Sequence, residues 1–419
     1  MRPRRNFGHN AAKSLVFIKL GIDNIPQNTA VVGHDCRRRL ITACLNAQDD
    51  HRYKYAFSLP EVATLPQRCR KFHASSNPCG EISAGTHVQI QRRIGPYWGT
   101  VAVMTVPKVR IGTRGSPLAL WQANEVRRRL AAAHPDLAAE GAVHIKIIRT
   151  SGDRLQLGTL ADVGGKGLFT KEIEEAMLDG TIDIAVHSMK DVPTWFPDGL
   201  IIDCLLPRAD PRDALIALGS DTIADLPAGI TVGTASLRRK ALLLHRRPDL
   251  KVVPLRGNVD TRLGKVSAGE VDATFLAVAG LNRLGRNDVG ARPIAAEEML
   301  PAVCQGVVGI ERRIDDDRIA ELLNPLNDGL AALSSAAERA LLAGLDGSCR
   351  TPIAALAEID GDDMYLRTAI VRPDGSELIE TERRGAAADG ARMGEDAADE
   401  LRGKAGPGFF IESDHDYVR

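Results

Sequence analysis

Short apolar runs that end in a polar, glycine-containing turn and then open a helix recur along this chain, and that repeat constrains the fold more than any other feature. The first is Val109-Arg-Ile-Gly-Thr-Arg114-Gly-Ser116-Pro117. Ser116 can cap a helix and Pro117 suits its first position, so the spacing predicts strand, turn and helix. Ile182-Asp-Ile-Ala-Val186 leads into His187-Ser-Met-Lys190-Asp191-Val-Pro193, and Ile230-Thr-Val-Gly233 into Thr234-Ala-Ser236-Leu-Arg238-Arg239. Val252-Val-Pro-Leu255 leads into Arg256-Gly-Asn-Val-Asp-Thr-Arg262, and the run from Asp272 to Val278 into Ala279-Gly-Leu-Asn-Arg283. Strands alternating with helices predict an α/β class with parallel strands. Ligand crevices in such sheets lie outside the carboxyl ends of the strands, which is where the polar residues fall.

Between these units the pattern predicts a helix from Leu118 to His134, with Leu118, Trp121, Val126 and Leu130 buried. A strand at 145–149 and a polar loop through Gly164-Gly-Lys166-Gly167 precede a helix at 168–178. That loop has the wrong spacing for a Walker motif, so Lys166 sits on either a flap carrying one cation or an ordinary glycine turn. The stretch from Leu300 to Glu311 reads as a strand returning to the first unit, and a helix at 330–342 leads to Leu345-Asp-Gly347-Ser-Cys349-Arg350. Period-2 runs at 354–359, 364–371 and 377–382 and a helix at 389–402 then predict a small third α/β domain.

Charge separates the front of the chain from the rest. Residues 1–103 hold 15 Lys or Arg against 6 Asp or Glu, and residues 104–419 hold 39 against 48. The front also carries Cys36, Cys44, Cys69 and Cys79 and shows no sustained apolar period. We expect translation to begin at Met104, with residues 1–103 a non-family extension that is disordered or an over-long reading of the gene. A targeting segment is the alternative. The cysteine spacings fit neither a zinc site nor a disulfide framework, which indicates a reducing, cytoplasmic setting without a metal. No apolar run approaches the roughly 18 residues that a membrane helix needs.

Four strand ends deliver arginine: Arg114, Arg238 with Arg239, Arg256 and Arg283. Two arginines in the first turn of a helix stand at its unfavourable end. Either they form a solvated basic face or an anion neutralises them. A cleft lined with guanidinium forks suits a ligand bearing several carboxylates. Nucleic acid is excluded as a partner by the net acidity of residues 104–419 and by the absence of aromatics among the arginines. Lys190-Asp191 reads as a surface ion pair or as a site that holds a cation or moves a proton. Cys349, in a polar loop beside Arg350, is a structural thiol or a nucleophile whose thiolate the arginine favours. Cys204, between Ile202 and Leu205, reads as core.

Taken together, Arg114-Gly-Ser116-Pro-Leu-Ala-Leu-Trp-Gln-Ala, His187-Ser-Met-Lys-Asp-Val-Pro, Gly233-Thr-Ala-Ser-Leu-Arg-Arg, Leu255-Arg-Gly-Asn-Val-Asp-Thr-Arg-Leu and the Gly347-Ser-Cys349 loop closely resemble the porphobilinogen deaminase (hydroxymethylbilane synthase) family. The resemblance runs from Met104 to Arg419. It implies two lobes like type II periplasmic binding proteins with mixed sheets, at 104–206 with 307–325 and at 207–306, and a small third domain at 327–419. It also implies a dipyrromethane cofactor joined to Cys349 by a thioether and built by the enzyme from its own substrate. Four porphobilinogen molecules, each carrying an acetate and a propionate, would be condensed head to tail with loss of ammonia, and water would release the linear tetrapyrrole. The resemblance gives Asp191 the catalytic role of stabilising the cation left when ammonia departs. It gives cofactor or substrate binding to Arg114, Ser116, Lys190, Ser236, Arg238, Arg239, Arg256, Arg262 and Arg283. It further implies a monomer with porphobilinogen as its partner and no membrane. One departure is Cys304, where the family pattern leads us to expect glycine, and its thiol adds an oxidation site. The rival reading is a two-lobed binding protein for a polycarboxylate solute.

Overall fold

A computed structural model describes residues 29–34, 40–44, 90–94, 97–101, 103–105, 108–154, 170–286, 288–347, 351–406 and 408–410. The chain divides into two compact units, Met1–Lys108 with Asp136–Ala142, and Val109–Pro135 with Val143–Arg419. In the first unit, Thr29–His34 pairs antiparallel with Leu40–Cys44 and with Val103–Thr105, and Ile90–Ile94 pairs with Tyr97–Val101. The sequence reading predicts no strands here. The β-branched content of Thr29-Ala-Val-Val and Leu40-Ile-Thr supplies them.

The second unit opens with a five-stranded sheet. Its strands are β1 (Val109–Thr113), β2 (Val143–Ile147), β3 (Ile184–Ser188), β4 (Leu200–Leu205) and β10 (Val308–Arg313), ordered β2-β1-β3-β10-β4. The first three are parallel, and β10 runs antiparallel between β3 and β4. Helices α1 (Pro117–Ala133) and α2 (Lys171–Leu178) belong to this lobe. The second lobe repeats the plan with β5 (Asp213–Ala217), β6 (Thr231–Gly233), β7 (Lys251–Val253), β8 (Ala273–Ala277) and β9 (Arg292–Pro293), ordered β7-β6-β8-β5-β9. Here β6 is parallel to β7 and β8, and β5 runs antiparallel between β8 and β9. Helices α3 (Leu237–Arg246), α4 (Val259–Ser267) and α5 (Val278–Arg283) complete it. Each antiparallel strand starts just after the chain has crossed from the other lobe, so both sheets are mixed and the two lobes are built alike.

Buried apolar side chains hold each layer. In the second lobe Phe275, Leu215 and Val232 are fully buried, each stabilising by about 1.5–3 kcal/mol relative to exposure. After β10, helix α6 (Asp317–Leu323) and helix α7 (Gly329–Gly344) lead to an antiparallel sheet of β11 (Ile353–Asp360), β12 (Asp363–Val371) and β13 (Leu378–Ala386), closed by α8 (Gly390–Ala405). A Cβ at Gly394 would lie 2.1 Å from the Ala337 carbonyl oxygen, so the close approach of α8 to α7 requires glycine. This last domain shares a core with each lobe. Leu356 and Val371 join the cluster around Phe275, and Ile353 and Leu341 join the cluster around Met189 and Leu205.

Local expectations need two corrections. Val126 and Leu130 are buried, but Trp121 is 38% exposed and Leu118 is half-buried. The sheet receives the adjacent stripe of Ala119, Gln122, Ala123, Val126 and Leu130, because two alanines allow α1 to lie close to it. The expected oxidation site at Cys304 is also overturned. The residue is completely buried, and burial followed by the Glu338 carboxylate pushes its thiol up to about 12. Cys304 stands at φ 56°, which gives the family's expected glycine a physical reason. Cys204 is buried as the sequence predicts.

Candidate active site

Capped turns build the crevice. Ser116 Oγ accepts from Ala119 N at 3.2 Å and Ser236 Oγ from Arg239 N at 3.4 Å, while Asn258 Oδ1 accepts from Thr261 N at 2.9 Å. Each cap fixes the turn between a strand's carboxyl end and the following helix. Three of the turns that carry predicted ligand groups are therefore set by local rules that the sequence displays.

In the first lobe, Met189–Asp191 forms one tight turn directly after β3. Asp191 is exposed there and lines a pocket with Arg114, Ser116, Gln122, Ser188 and His187. Lys190 points instead into a neighbouring pocket shared with Arg283, Gln305 and Gly280. Its ammonium donates to Gln305 Oε1 at 3.2 Å. Burial pushes that ammonium down to about 8. Asp191 opposes the shift, Arg239 adds to it, Asp213 opposes it and Arg238 adds to it. His187 supports the strand end from beneath, with Nε2 2.9 Å from Glu311 Oε2 in a buried pair across β3 and β10. Desolvation holds the nearby buried Glu174 carboxyl above its usual range, with Thr170 and His187 opposing and Glu311 adding.

The second lobe supplies positive charge. Arg256 is half-buried, and its Nη2 is a buried donor with no partner. Burial, then the Arg239 charge, lowers the Arg262 guanidinium to about 10, opposed by Asp191 and reinforced by Arg256. The Arg262 guanidinium therefore lies within electrostatic reach of Asp191, Arg239 and Arg256. Arg283 donates to the Gly306 carbonyl at 2.7 Å and lies 5.7 Å from the Trp121 ring centre, so Trp121 meets the second lobe where the sequence placed it in the first lobe's core.

Arg238 and Arg239 differ from expectation. The anion that neutralises them belongs to the chain itself. Asp213, fully buried at the start of β5, accepts from Arg238 Nη2 and from Arg239 Nη2, each at 2.6 Å. Arg238 also donates to the Leu300 carbonyl and Arg239 to the Phe275 carbonyl. Both residues are nearly inaccessible, at 4% and 5%. Sequence reasoning assigned no role to Asp213 or Gln305. The only local signals were a carboxylate opening a strand and an amide beside Gly306.

Cys349 and Lys166 lie outside the described residues. Helix α7 ends at Gly344, which places Cys349 five residues beyond it in sequence. Among the described residues no group of three or more His, Cys, Asp or Glu is arranged to hold a metal, and no described helix is long and apolar enough to cross a membrane.

The chemistry on offer is one exposed carboxylate beside depressed, partly desolvated cations and an unpartnered buried guanidinium donor. These donors fit a ligand rich in carboxylates.

Family comparison agrees with that chemistry. The family model described as "Porphobilinogen deaminase, dipyromethane cofactor binding domain" matches residues 109–321, and the one described as "Porphobilinogen deaminase, C-terminal domain" matches residues 332–403. The porphobilinogen deaminase of Paracoccus denitrificans is 59% identical over 302 residues, which are 72% of this chain and 96% of that protein. The Nitrobacter winogradskyi protein of the same name is 58% identical over 300 residues, covering 72% and 94%. The chloroplastic porphobilinogen deaminase of rice is 51% identical over 353 residues, covering 82% and 98%. All three names are those of enzymes, against the rival of a binding protein. With two lobes built alike around a cationic crevice, two matched domains in order and relatives spanned almost end to end, this chain belongs to the porphobilinogen deaminase family.

Proposed function

We propose that this chain condenses porphobilinogen head to tail, releasing one ammonia per molecule joined, and sets free a linear tetrapyrrole of four units by hydrolysis. The observation that carries the reading is the exposed Asp191 carboxylate set against three cations: Arg262 and Lys190, whose desolvation an acidic ligand would offset, and Arg256, whose buried Nη2 has no hydrogen-bond partner. Dipyrromethane, bound through Cys349, supplies the free pyrrole position from which the chain grows. Its acids would be held by Arg256, Arg262 and Arg283 of the second lobe and by Arg114, Ser116 and Lys190 of the first. Ser236 acts through its cap on the α3 turn. Arg238 and Arg239, held by Asp213, contribute to binding as a fixed positive field that reaches the crevice.

Asp191 performs the electrostatic step. Positive charge appears on the substrate when ammonia leaves, and a carboxylate already in place stabilises it without reorganising. The same oxygen can accept the proton that the attacking pyrrole carbon loses.

We assign residues 104–206 with 307–325 to a first domain, 207–306 to a second and 327–419 to a third that carries the cofactor cysteine. The strand composition of the three sheets supports these boundaries. The protein works as a monomer in the cytoplasm, a setting consistent with the free thiols of Cys204 and Cys304. Lys166, outside the described residues, is proposed to belong to a flap carrying one cation.

The test combines stoichiometry with intact mass. Purified protein should carry the added mass of one dipyrromethane, lose it in Cys349→Ser, and release four ammonia per tetrapyrrole. A protein without the adduct, or without ammonia release from porphobilinogen, refutes the assignment.

A further inference from the structure

We propose that Asp213 and Gln305 are positioning residues for the condensation, a buried hub on the crossing between the lobes that fixes Arg238 and Arg239 on one side and the Lys190 ammonium on the other. This rests on the deaminase reading above and extends it to two residues that touch neither substrate nor cofactor.

The geometry begins at the crossing segments. Ala209 N donates to the Gly306 carbonyl at 3.1 Å, and Arg208 Nε to the Gln305 carbonyl at 3.0 Å. A Cβ on Gly306 would stand 2.4 Å from the Ala209 carbonyl oxygen, and its φ of 93° also demands glycine. The two chain crossings are therefore in direct backbone contact, and Gln305 sits where they touch. Arg208 is held in turn by Glu338 of α7, whose Oε1 lies 2.5 Å from Arg208 Nη1 and whose Oε2 accepts from Cys304 N at 2.5 Å. Glu338 thus secures the backbone on both sides of Gln305.

Gln305, 1% exposed, has its side chain fully engaged. Nε2 donates to the Pro211 carbonyl at 2.8 Å and to Asp213 Oδ1 at 2.9 Å, while Oε1 accepts from Lys190. The opposite amide orientation would turn the NH2 group toward the Lys190 ammonium and the carbonyl oxygen toward the Asp213 carboxylate, so the charges on either side fix it. Asp213 is equally saturated. Oδ1 accepts from Arg239 and Gln305, and Oδ2 accepts from Arg238.

Stability alone does not account for this arrangement. Two arginines at a helix N-terminus oppose the helix dipole, and burying them with a carboxylate costs desolvation that an apolar cluster would avoid. One carboxylate also leaves Arg238, Arg239 and Lys190 in positive excess. That excess is what a polyanionic ligand needs, and it stays aimed at the crevice only while Asp213 and Gln305 hold their donors. The groups facing Lys190 are Asp191, Asp213, Arg238, Arg239 and the Gln305 amide. The burial that lowers its ammonium to about 8 makes its charge sensitive to any change in the hub.

The test compares Asp213→Asn, Gln305→Leu and Gln305→Glu in the full-length holoprotein, measuring kcat/KM from pH 6 to 10 together with the thermal midpoint. Asp213→Asn should lower kcat/KM by about 100-fold, as expected for breaking a buried charged network. Loss of either the negative charge or the amide acceptor should move the alkaline limb of the profile down by about one pH unit. Gln305→Glu should return that limb to the parent position or above it, because a carboxylate favours the ammonium more than an amide does. An alkaline limb that stays with the parent in both Asp213→Asn and Gln305→Leu overturns the proposal, whatever the loss of rate. If Asp213→Asn does not fold, the two Gln305 variants decide alone. Parent protein that releases no ammonia would count against the deaminase reading instead.

Discussion

The two lobes share one topology and divide the work. In the first, a strand end delivers a single exposed carboxylate, Asp191, flanked by capping groups and by His187 locked to Glu311. In the second, corresponding strand ends deliver Arg256, Arg262, Arg283 and the buried pair Arg238 and Arg239. The parallel sheets set where the ends fall, and the side chains placed there set what each lobe does. On the proposed function, the first lobe supplies the catalytic carboxylate, and the second supplies most of the cations that hold acids, joined by Arg114 and Lys190 of the first.

That division can be broken in four ways. The largest effect belongs to Asp191→Asn, which keeps the shape and removes the charge. We expect kcat to fall by about 10^2 to 10^4 with little change in KM, the signature of an interaction made in the transition state. Steady-state kinetics check this, and a rise in KM at unchanged kcat would move Asp191 to the binding side. Next, Arg262→Leu should raise KM by about 10 to 100-fold with kcat nearly intact, because a charge-assisted contact of about 1.5–3 kcal/mol is lost. Titration with porphobilinogen against Asp191→Asn as background reads that loss without turnover.

A smaller effect should follow pH. The Lys190 ammonium, lowered to about 8 from its usual 10.5, is fully present below about pH 7 and is lost as pH rises through about 8. Acid binding through it should weaken in that window, so KM should climb by up to about tenfold from pH 7 to 9 and the climb should vanish in Lys190→Met. The stability sign is opposite. Between about 8 and 10.5 the unfolded chain holds the proton that the folded chain has shed, so this group's contribution to folding rises with pH there. Smallest is Trp121→Ala, which removes the contact with Arg283 across the lobes and should cost about 0.5–1 kcal/mol of affinity, a change of a few-fold. An unchanged Kd in that variant would confine Trp121 to covering α1.

What could be read directly from the sequence followed from local rules. Ser116 and Ser236 cap the helices that they precede, and the strand ends lie where apolar runs stop. Non-local pairings stayed hidden. Arg238 and Arg239 pointed to an anion, but Asp213, which satisfies them, lies some twenty-five residues upstream on a strand opened by a chain crossing. Strands β4 and β5 escaped notice because no helix separates them and neither shows a clean period. Trp121 was misplaced because helical spacing identifies an apolar stripe without saying which partner covers it. Cys304 shows the reverse. The sequence flagged a departure from glycine, and its positive φ explains why glycine belongs there.

Single-turnover release of ammonia at saturating porphobilinogen, compared between Asp191→Asn and Arg262→Leu, tests the division of labour most directly. The account predicts that Arg262→Leu, once saturated, releases ammonia at close to the parent rate while Asp191→Asn stays slow by about 10^2-fold or more. Equal slowing of both variants, or a parent-like rate in Asp191→Asn, would contradict it.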